Sequence, residues 1–223
     1  MKPCLIFTLL STAGVVLARD SKDDDLNLPE DFTIPYMVYL QSSPEPCVGS
    51  LIHPEWVLTA AHCSSPVKIR LGVYQPSIRN KKEQIRNYSL IIPAPEFKAQ
   101  SLENDLMLIK LSKAAVLNNY VGTIAISMDD PDILTWINQH SHPFSDCRNM
   151  IGERMAVNIM CVGQPLSIIS KTKPEVSAAP AVCGGRLHGI LSWDKGSVTL
   201  GSEGFFTEVH PYARWIMKTI TTH

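Results

Sequence analysis

The sequence predicts an all-β protein that ends in a single helix. Its apolar runs are short and bounded by turn-forming residues, which is typical of strands. Clear examples are Tyr36 to Leu40, Val48 to Ile52, Trp56 to Thr59, Leu106 to Leu111 and Leu187 to Trp193. A series of many short strands favours an all-β domain. The 223 residues, 45% of them hydrophobic, are enough to bury one large core or two small ones.

The last segment of the chain has a different pattern from the strands. Tyr212, Trp215, Ile216 and Ile220 recur at helical spacing, and Pro211 suits the first helical position, where no N–H is needed. We expect a terminal helix that packs against the β-structure and takes no part in chemistry.

Residues 1–18 have the pattern of a secretory signal peptide. Lys2 supplies the positive start, Leu5 to Leu17 the apolar middle, and Ala18 a small residue at the exit. The apolar stretch falls short of the ~20 residues that a transmembrane helix needs. We therefore expect a secreted chain that begins near Arg19 and has no membrane anchor.

The charge distribution argues against a nucleic-acid partner. The formal net charge is −1, and the charged runs Asp23 to Asp25 and Arg79 to Lys82 are short. Runs of this length do not create a field that selects nucleic acid. We interpret both as solvated loop charges.

Three short motifs carry a His, an Asp and a Ser in a fixed order along the chain. His62 lies in Leu-Thr-Ala-Ala-His-Cys, Asp105 in Asn-Asp-Leu-Met-Leu, and Ser177 in Val-Ser-Ala-Ala-Pro. A serine nucleophile needs a base to take its proton and a carboxylate to orient that base. The motifs and their order resemble the trypsin and chymotrypsin family of serine proteases.

This resemblance implies a two-barrel architecture. The fold would be two antiparallel six-stranded Greek-key barrels with the triad in the cleft between them, followed by the helix. Residues 33–116 would form the first barrel and 117–223 the second, after a short leader at 19–32 that lacks the family's activation start. The family's cysteine-bearing strand is missing between Thr123 and Asn138, so we expect a second barrel about one strand pair short, with an exposed edge.

The residues before Ser177 depart from the family pattern. Where the family has Gly-Asp-Ser-Gly-Gly-Pro, this chain has Glu-Val-Ser-Ala-Ala-Pro, so Glu175 replaces the glycine whose N–H completes the oxyanion hole. Losing one such donor costs ~3 to 4 kcal/mol of transition-state stabilisation. Val176 replaces the aspartate that pairs with the freed N-terminus on activation, and the matching start motif is absent as well.

The specificity pocket implied by the resemblance is also altered. Lys171 stands where trypsin has a carboxylate, which excludes a trypsin-like preference for Arg and Lys. In the segment Ser192-Trp193-Asp194, the last residue replaces a glycine at the pocket mouth. Because an unpaired buried charge is costly, one hypothesis is that an ion pair of Lys171 with Asp194 or Glu175 fills the vacated pocket.

The cysteines predict a disulfide framework with one thiol left over. The resemblance pairs Cys47 with Cys63 and Cys147 with Cys161. With Cys4 removed in the signal peptide, Cys183 is predicted to be free or to link two chains. Asn87-Tyr88-Ser89 is a glycosylation sequon that a secreted protein could use.

We expect no metal and no cofactor. The segment Tyr74 to Gln84 offers Glu83 among three cations, which is poor chemistry for calcium. His140 and His142 lack a Cys/His pattern nearby and are interpreted as loop residues.

Two functions therefore remain open on the sequence. The segment around Ser177 resembles a branch of the family that keeps the serine but has lost the glycines. The first function is a secreted homologue of weak or no activity that binds a peptide or protein in the inter-barrel cleft, with Trp193 and the loop around Lys171 as anchors. The alternative is a functional serine endopeptidase of non-tryptic specificity.

Overall fold

The computed structural model describes residues 4–6, 34–44, 46–73, 82–128, 158–162, 178–193 and 204–223, with the backbone alone at 4–6, 160–162, 183, 193 and 204. Strands dominate these residues. In chain order they are β1 Cys4–Ile6, β2 Met37–Gln41, β3 Cys47–His53, β4 Trp56–Thr59, β5 Lys68–Leu71, β6 Gln84–Arg86, β7 Tyr88–Pro93, β8 Met107–Leu111, β9 Ala125–Ile126, β10 Ile159–Val162, β11 Pro180–Cys183, β12 Arg186–Trp193 and β13 Gly204–Glu208. Helix α1, Ala213–Thr222, follows a 3₁₀ turn at His210–Tyr212.

The first sheet closes into a barrel. Its strand order is β6-β5-β2-β3-β4-β8-β7, so its two outermost strands are β6 and β7. Asn87 alone separates these two strands along the chain, so one continuous segment pairs with β5 through β6 and with β8 through β7, which closes the sheet. The sheet has seven strands rather than the expected six because Asn87 interrupts what would be one bent strand.

The residues around β4 are mostly apolar and closely packed. Strand β4 is buried at all four positions, and Trp56 and Leu58 are among the largest fully buried side chains. Gly49 lies where β3 approaches β4, and a Cβ added there would come within 2.4 Å of Val57 Cγ1. Glycine is therefore required by the close approach of the two strands.

The second sheet is built around the long strand β12. The order is β1-β11-β12-β13-β10, with β9 parallel to the start of β12. The hairpin from β11 to β12 turns through Gly184 and Gly185, whose φ angles of 57° and 78° favour glycine.

Strand β1 lies in the predicted signal peptide. Its backbone pairs antiparallel with β11, and Cys4 is the register partner of Cys183. The removal of residues 1–18 and the resulting free state of Cys183 stay predictions. While Cys4–Ile6 remains attached, it supplies the outer strand of this sheet. The strand pair expected to be missing falls between Thr123 and Asn138; residues 123–128 of this segment are described and contain β9, whereas 129–138 lie outside the described residues.

A short segment between the barrels fastens one sheet to the other. The backbone N–H of Ile124 donates to the carbonyl of Leu51 in the first sheet at 2.9 Å. Three residues on, the N–H of Ser127 donates to the carbonyl of Leu187 in the second sheet at 2.8 Å. The connection is thus hydrogen-bonded to both sheets.

The expected all-β architecture with a terminal helix is confirmed. Pro211 lies in the 3₁₀ turn rather than at the first α-helical position, and the helix buries Ala213, Ile216 and Thr219. Among the described residues, no helix is both long and apolar enough to span a membrane.

Substituting Gly49→Ala should lower the free energy of unfolding by about 1 to 3 kcal/mol, because the added methyl group overpacks the stiff side chain of Val57. Urea denaturation followed by tryptophan fluorescence would measure the change. Gly122→Ala is the matched control, since its Cβ would meet its nearest neighbour, Pro35 Cβ, only at 3.3 Å. Equal effects of the two substitutions would contradict this account of Gly49.

Candidate functional site

His62 lies in the turn that follows β4 and is fixed by the residues on either side. Ala60 is buried, and the N–H of Cys63 closes the turn on the Ala60 carbonyl at 3.3 Å. Cys63 is disulfide-bonded to Cys47 at the start of β3, as predicted. The imidazole side chain is 23% exposed, so it is partly accessible to the solvent.

The carboxylate of Asp105 is fully buried, and each of its two oxygens interacts with a nitrogen of His62. The backbone N–H of His62 donates to Oδ1 at 2.8 Å, and His62 Nδ1 lies 2.7 Å from Oδ2. Since a carboxylate accepts hydrogen bonds, Nδ1 carries the proton and Nε2 is left as the basic nitrogen. This tautomer is the one that a general base requires.

The hydroxyl of Ser192, a residue predicted for the specificity pocket, contacts Asp105. Ser192 Oγ donates to Asp105 Oδ2 at 2.5 Å, and the side chain is buried. Ser192 belongs to β12 of the second sheet, whereas His62 follows β4 of the first. The charge of Asp105 is therefore compensated by donors from both sheets.

Asn104 and Tyr212 form a further link across the same boundary. Asn104 has a φ of 55°, a left-handed conformation that asparagine tolerates better than most residues. Its Nδ2 donates to the carbonyl of Glu96 at 3.0 Å, and its Oδ1 accepts from the Tyr212 hydroxyl at 2.6 Å. Burial raises the pKa of the Tyr212 phenol, which keeps the hydroxyl protonated as a donor. The residue before Asp105 is thus held by the start of the terminal helix.

Ala178, which follows the predicted nucleophile, has an unusual backbone conformation. Its φ is 66° and it is fully buried. An alanine in the left-handed region costs about 1 to 2 kcal/mol relative to its ordinary conformations. The next residue, Ala179, accepts a hydrogen bond from Leu191 at 2.8 Å, which ties this segment to β12.

Comparison with known proteins gives consistent matches. The Trypsin family model matches residues 29–136 and 131–216. The chain belongs to the trypsin family. It is 36% identical to a protein of Bos taurus named probable inactive serine protease 58, over 88% of this chain and 91% of that one. It is also 36% identical to human serine protease 58, over 85% and 90% of the two chains. The dog protein serine protease 1 is 33% identical over 97% and 99%.

Serine protease 58 is among the matched relatives, which confirms the resemblance to that branch of the family. Serine protease 1 of dog matches the chain over a similar length at similar identity. Membership in the trypsin family therefore fixes the fold and leaves the activity to be argued from the site.

Several predicted site residues of this trypsin-family chain lie outside the described residues. They are Cys147, Lys171, Glu175, Ser177 and Asp194. For Cys161, Cys183 and Trp193 the backbone alone is described. The oxyanion-hole position, the pairing of Lys171 and the mid-chain disulfide therefore stay predictions. Asn87 is described: it is exposed between β6 and β7, and its carbonyl accepts from the Ser112 N–H at 2.8 Å.

Sequence reasoning missed the roles of Asn104 and Tyr212. The spacing of Tyr212, Trp215 and Ile216 predicts that these residues share one packed face of the helix. It carries no information on which group the Tyr212 hydroxyl contacts. Asn104 stands next to Asp105 in its motif, which was the available signal.

The substitution Tyr212→Phe should lower the free energy of unfolding by about 0.5 to 1.5 kcal/mol, since it removes the hydrogen bond that the Tyr212 hydroxyl donates to the half-buried Asn104. Urea denaturation would measure the loss. Tyr88→Phe, at a tyrosine that is 42% exposed, should change stability by less than about 0.5 kcal/mol. A Tyr212→Phe protein as stable as Tyr88→Phe would show that the link contributes nothing.

The substitution Ala178→Gly should raise the free energy of unfolding by roughly 1 kcal/mol, because glycine adopts a φ of 66° without a steric cost. Thermal unfolding would detect the gain. Ala181→Gly, three residues on in β11, is the same chemical change in a strand and should destabilise instead. If both substitutions destabilise, the conformation of Ala178 is not a source of strain.

Proposed function

We propose that this chain is a secreted trypsin-family protein of weak or no peptidase activity that binds a peptide or protein in the cleft between its barrels. The observation that carries the proposal is the contrast between two halves of the site. The dyad of His62 and Asp105 keeps the geometry of a general base, whereas the sequence at 175–176 lacks the groups that stabilise a transition state.

The loss at Glu175 is large enough to decide the activity. One missing oxyanion donor lowers the rate by about two to three orders of magnitude. A carboxylate near the place where negative charge develops on the substrate adds repulsion to that loss. In this proposal His62 is the base for Ser177, and proton transfer alone does not replace the missing stabilisation.

The joint loss of the activation pair supports a settled inactive state. Both members of the family's activation ion pair are missing from the sequence. Val176 replaces the aspartate, and the leader lacks the activation start that would supply the N-terminus. Removing one partner of a buried pair is costly, whereas removing both is tolerated. A chain that has lost both partners has no need of cleavage at the leader to reach its stable form.

The relatives include proteins described in both ways. The bovine relative is named probable inactive, and the dog relative carries the plain name serine protease 1. Both names are given to proteins 33–36% identical to this chain. The sequence at 175–176 is the reason that we place this chain with the first.

A functional endopeptidase of non-tryptic specificity is the second candidate. The hydrogen bond from Ser192 to Asp105, beside the dyad, is the observation that favours it. Lys171 would then select an acidic or polar side chain, because a cation at the pocket base repels Arg and Lys.

Secretion is part of the proposal. The pattern of residues 1–18 supports it, as does the disulfide between Cys47 and Cys63, since such bonds persist in oxidising compartments. The exposure of Asn87 supports its glycosylation, and a dimer through Cys183 remains part of the proposal for the mature chain.

A fluorophosphonate probe tests the site without a known substrate, because it reacts with an activated serine. We expect slow labelling of the purified protein that is lost in Ser177→Ala and in His62→Ala. Glu175→Gly should accelerate labelling about tenfold or more, since it restores an oxyanion donor. A peptide library should not be cleaved by the unchanged protein.

Two outcomes would overturn the proposal. Cleavage of library peptides by the unchanged protein, abolished in Ser177→Ala, would establish the endopeptidase. A Glu175→Gly variant that is folded but labels no faster would show that the altered oxyanion position is not what limits the site.

A further inference from the structure

The outer surface of the first barrel carries a small apolar patch. Val116 is 61% exposed, and Leu117 and Ile85 are each 49% exposed. Ile85 belongs to β6, whereas Val116 and Leu117 follow β8. Gln84 joins the two segments, because its Nε2 donates to the Val116 carbonyl at 2.6 Å and its Oε1 accepts from the Val116 N–H at 2.9 Å. We call the three exposed side chains the 85–117 patch. Exposed apolar residues that are grouped in this way are typical of an interaction site.

Positive charge surrounds the 85–117 patch. Lys82 and Lys113 are close to it along the chain, and both are exposed. Arg86 Nε donates to the carbonyl of Lys113 at 3.1 Å, and this neutral acceptor leaves the charge of the guanidinium in place. Glu83, the acidic residue next to Lys82, is already paired with Arg70 at 2.8 Å. The rim of the patch is therefore basic, and it favours an acidic partner.

The leader of this chain has the complementary chemistry. Residues 19–32 contain six carboxylates and two basic side chains, and three of the carboxylates form the run Asp23 to Asp25. Leu26 and Leu28 follow this run directly. In an extended chain, residues two positions apart point to the same face, so these two leucines would form one apolar face beside the acidic run.

The leader joins the barrel within reach of the 85–117 patch. The carbonyl of Pro35 accepts a hydrogen bond from the N–H of Gly122 at 3.0 Å. Leu117 is five residues from Gly122 in the sequence, so their Cα atoms are at most about 18 Å apart. Asp25 is nine residues from Ile34, and a chain of that length spans up to about 30 Å. The acidic run can therefore extend from Ile34 to the patch.

We propose that residues 23–28 of the leader dock on the 85–117 patch of the same chain. The two leucines pack on the apolar side chains, and the aspartates lie near the cations of the rim. The chain's own leader is the occupant because a tethered segment has an effective concentration in the millimolar range and docks even when its intrinsic affinity is weak. Docking covers apolar surface that other molecules would otherwise contact. The inference goes beyond the proposed function and does not depend on activity.

Cross-linking of the full chain tests where the leader lies. A carbodiimide joins a carboxylate to a lysine amine in contact with it, forming an amide with loss of water, and mass spectrometry of the digest identifies the pair. We expect Asp23 to Asp25 to be joined to Lys113 at least about fivefold more often than to Lys218, an exposed lysine of α1. High salt should reduce this preference, because it screens exposed charges.

Variants of the leader test whether the apolar patch is the docking site. Leu26→Ser/Leu28→Ser should lower the yield at Lys113 by about threefold or more, because it removes the apolar contact. Asn27→Ser is the matched control, since this residue points to the opposite face of an extended chain and should leave the yield unchanged. Leu117→Ser on the patch should act like the double leucine variant. All these variants keep every carboxylate, so equal yields from them would contradict docking on the apolar patch.

Three further results would overturn the proposal. Equal yields at Lys113 and Lys218 would show that the leader is not docked. Cross-links formed only between two molecules, detected by mixing isotope-labelled and unlabelled chains, would assign the patch to a second copy of the chain. A preference for Lys113 that appears only after N-linked glycans are removed would show that a glycan on Asn87 covers the patch in the secreted protein. None of these results bears on the labelling of Ser177, so the proposed function is tested separately.

Discussion

The carboxylate of Asp105 is the group on which the two sheets converge. It is fully buried and accepts hydrogen bonds from His62 of the first barrel and Ser192 of the second. A buried charge without such donors would cost several kcal/mol. Moving either donor away from the carboxylate is therefore unfavourable. The link from Asn104 to Tyr212 extends this arrangement to the terminal helix.

This convergence changes what an intact His–Asp dyad implies about function. Removing one partner of a buried hydrogen-bonded charge typically costs about 3 to 5 kcal/mol, whatever the protein does with its active site. The requirement for a stable fold can therefore retain His62 and Asp105 in a protein that has no catalytic activity. Their presence alone does not distinguish a peptidase from a binding protein, whereas the proposed loss of an oxyanion donor at Glu175 would bear directly on the transition state.

The first barrel was largely predictable because its signals are local. The predicted strand Trp56 to Thr59 coincides with β4, and Val48 to Ile52 lies within β3. The histidine-loop disulfide also followed from the family motif. The role of Ser192 did not follow, since it depends on how β12 meets the other barrel, and sequence spacing carries no information on that approach.

A double-mutant cycle on Asp105 and Ser192 tests the central interaction most directly. The unfolding free energies of Asp105→Ala, Ser192→Ala and the double variant would be compared with that of the unchanged chain. The account predicts a coupling energy of about 1 to 3 kcal/mol, as for residues that share one buried hydrogen-bond network. Additive effects, with a coupling below about 0.5 kcal/mol, would contradict the claim that the buried carboxylate joins the two barrels.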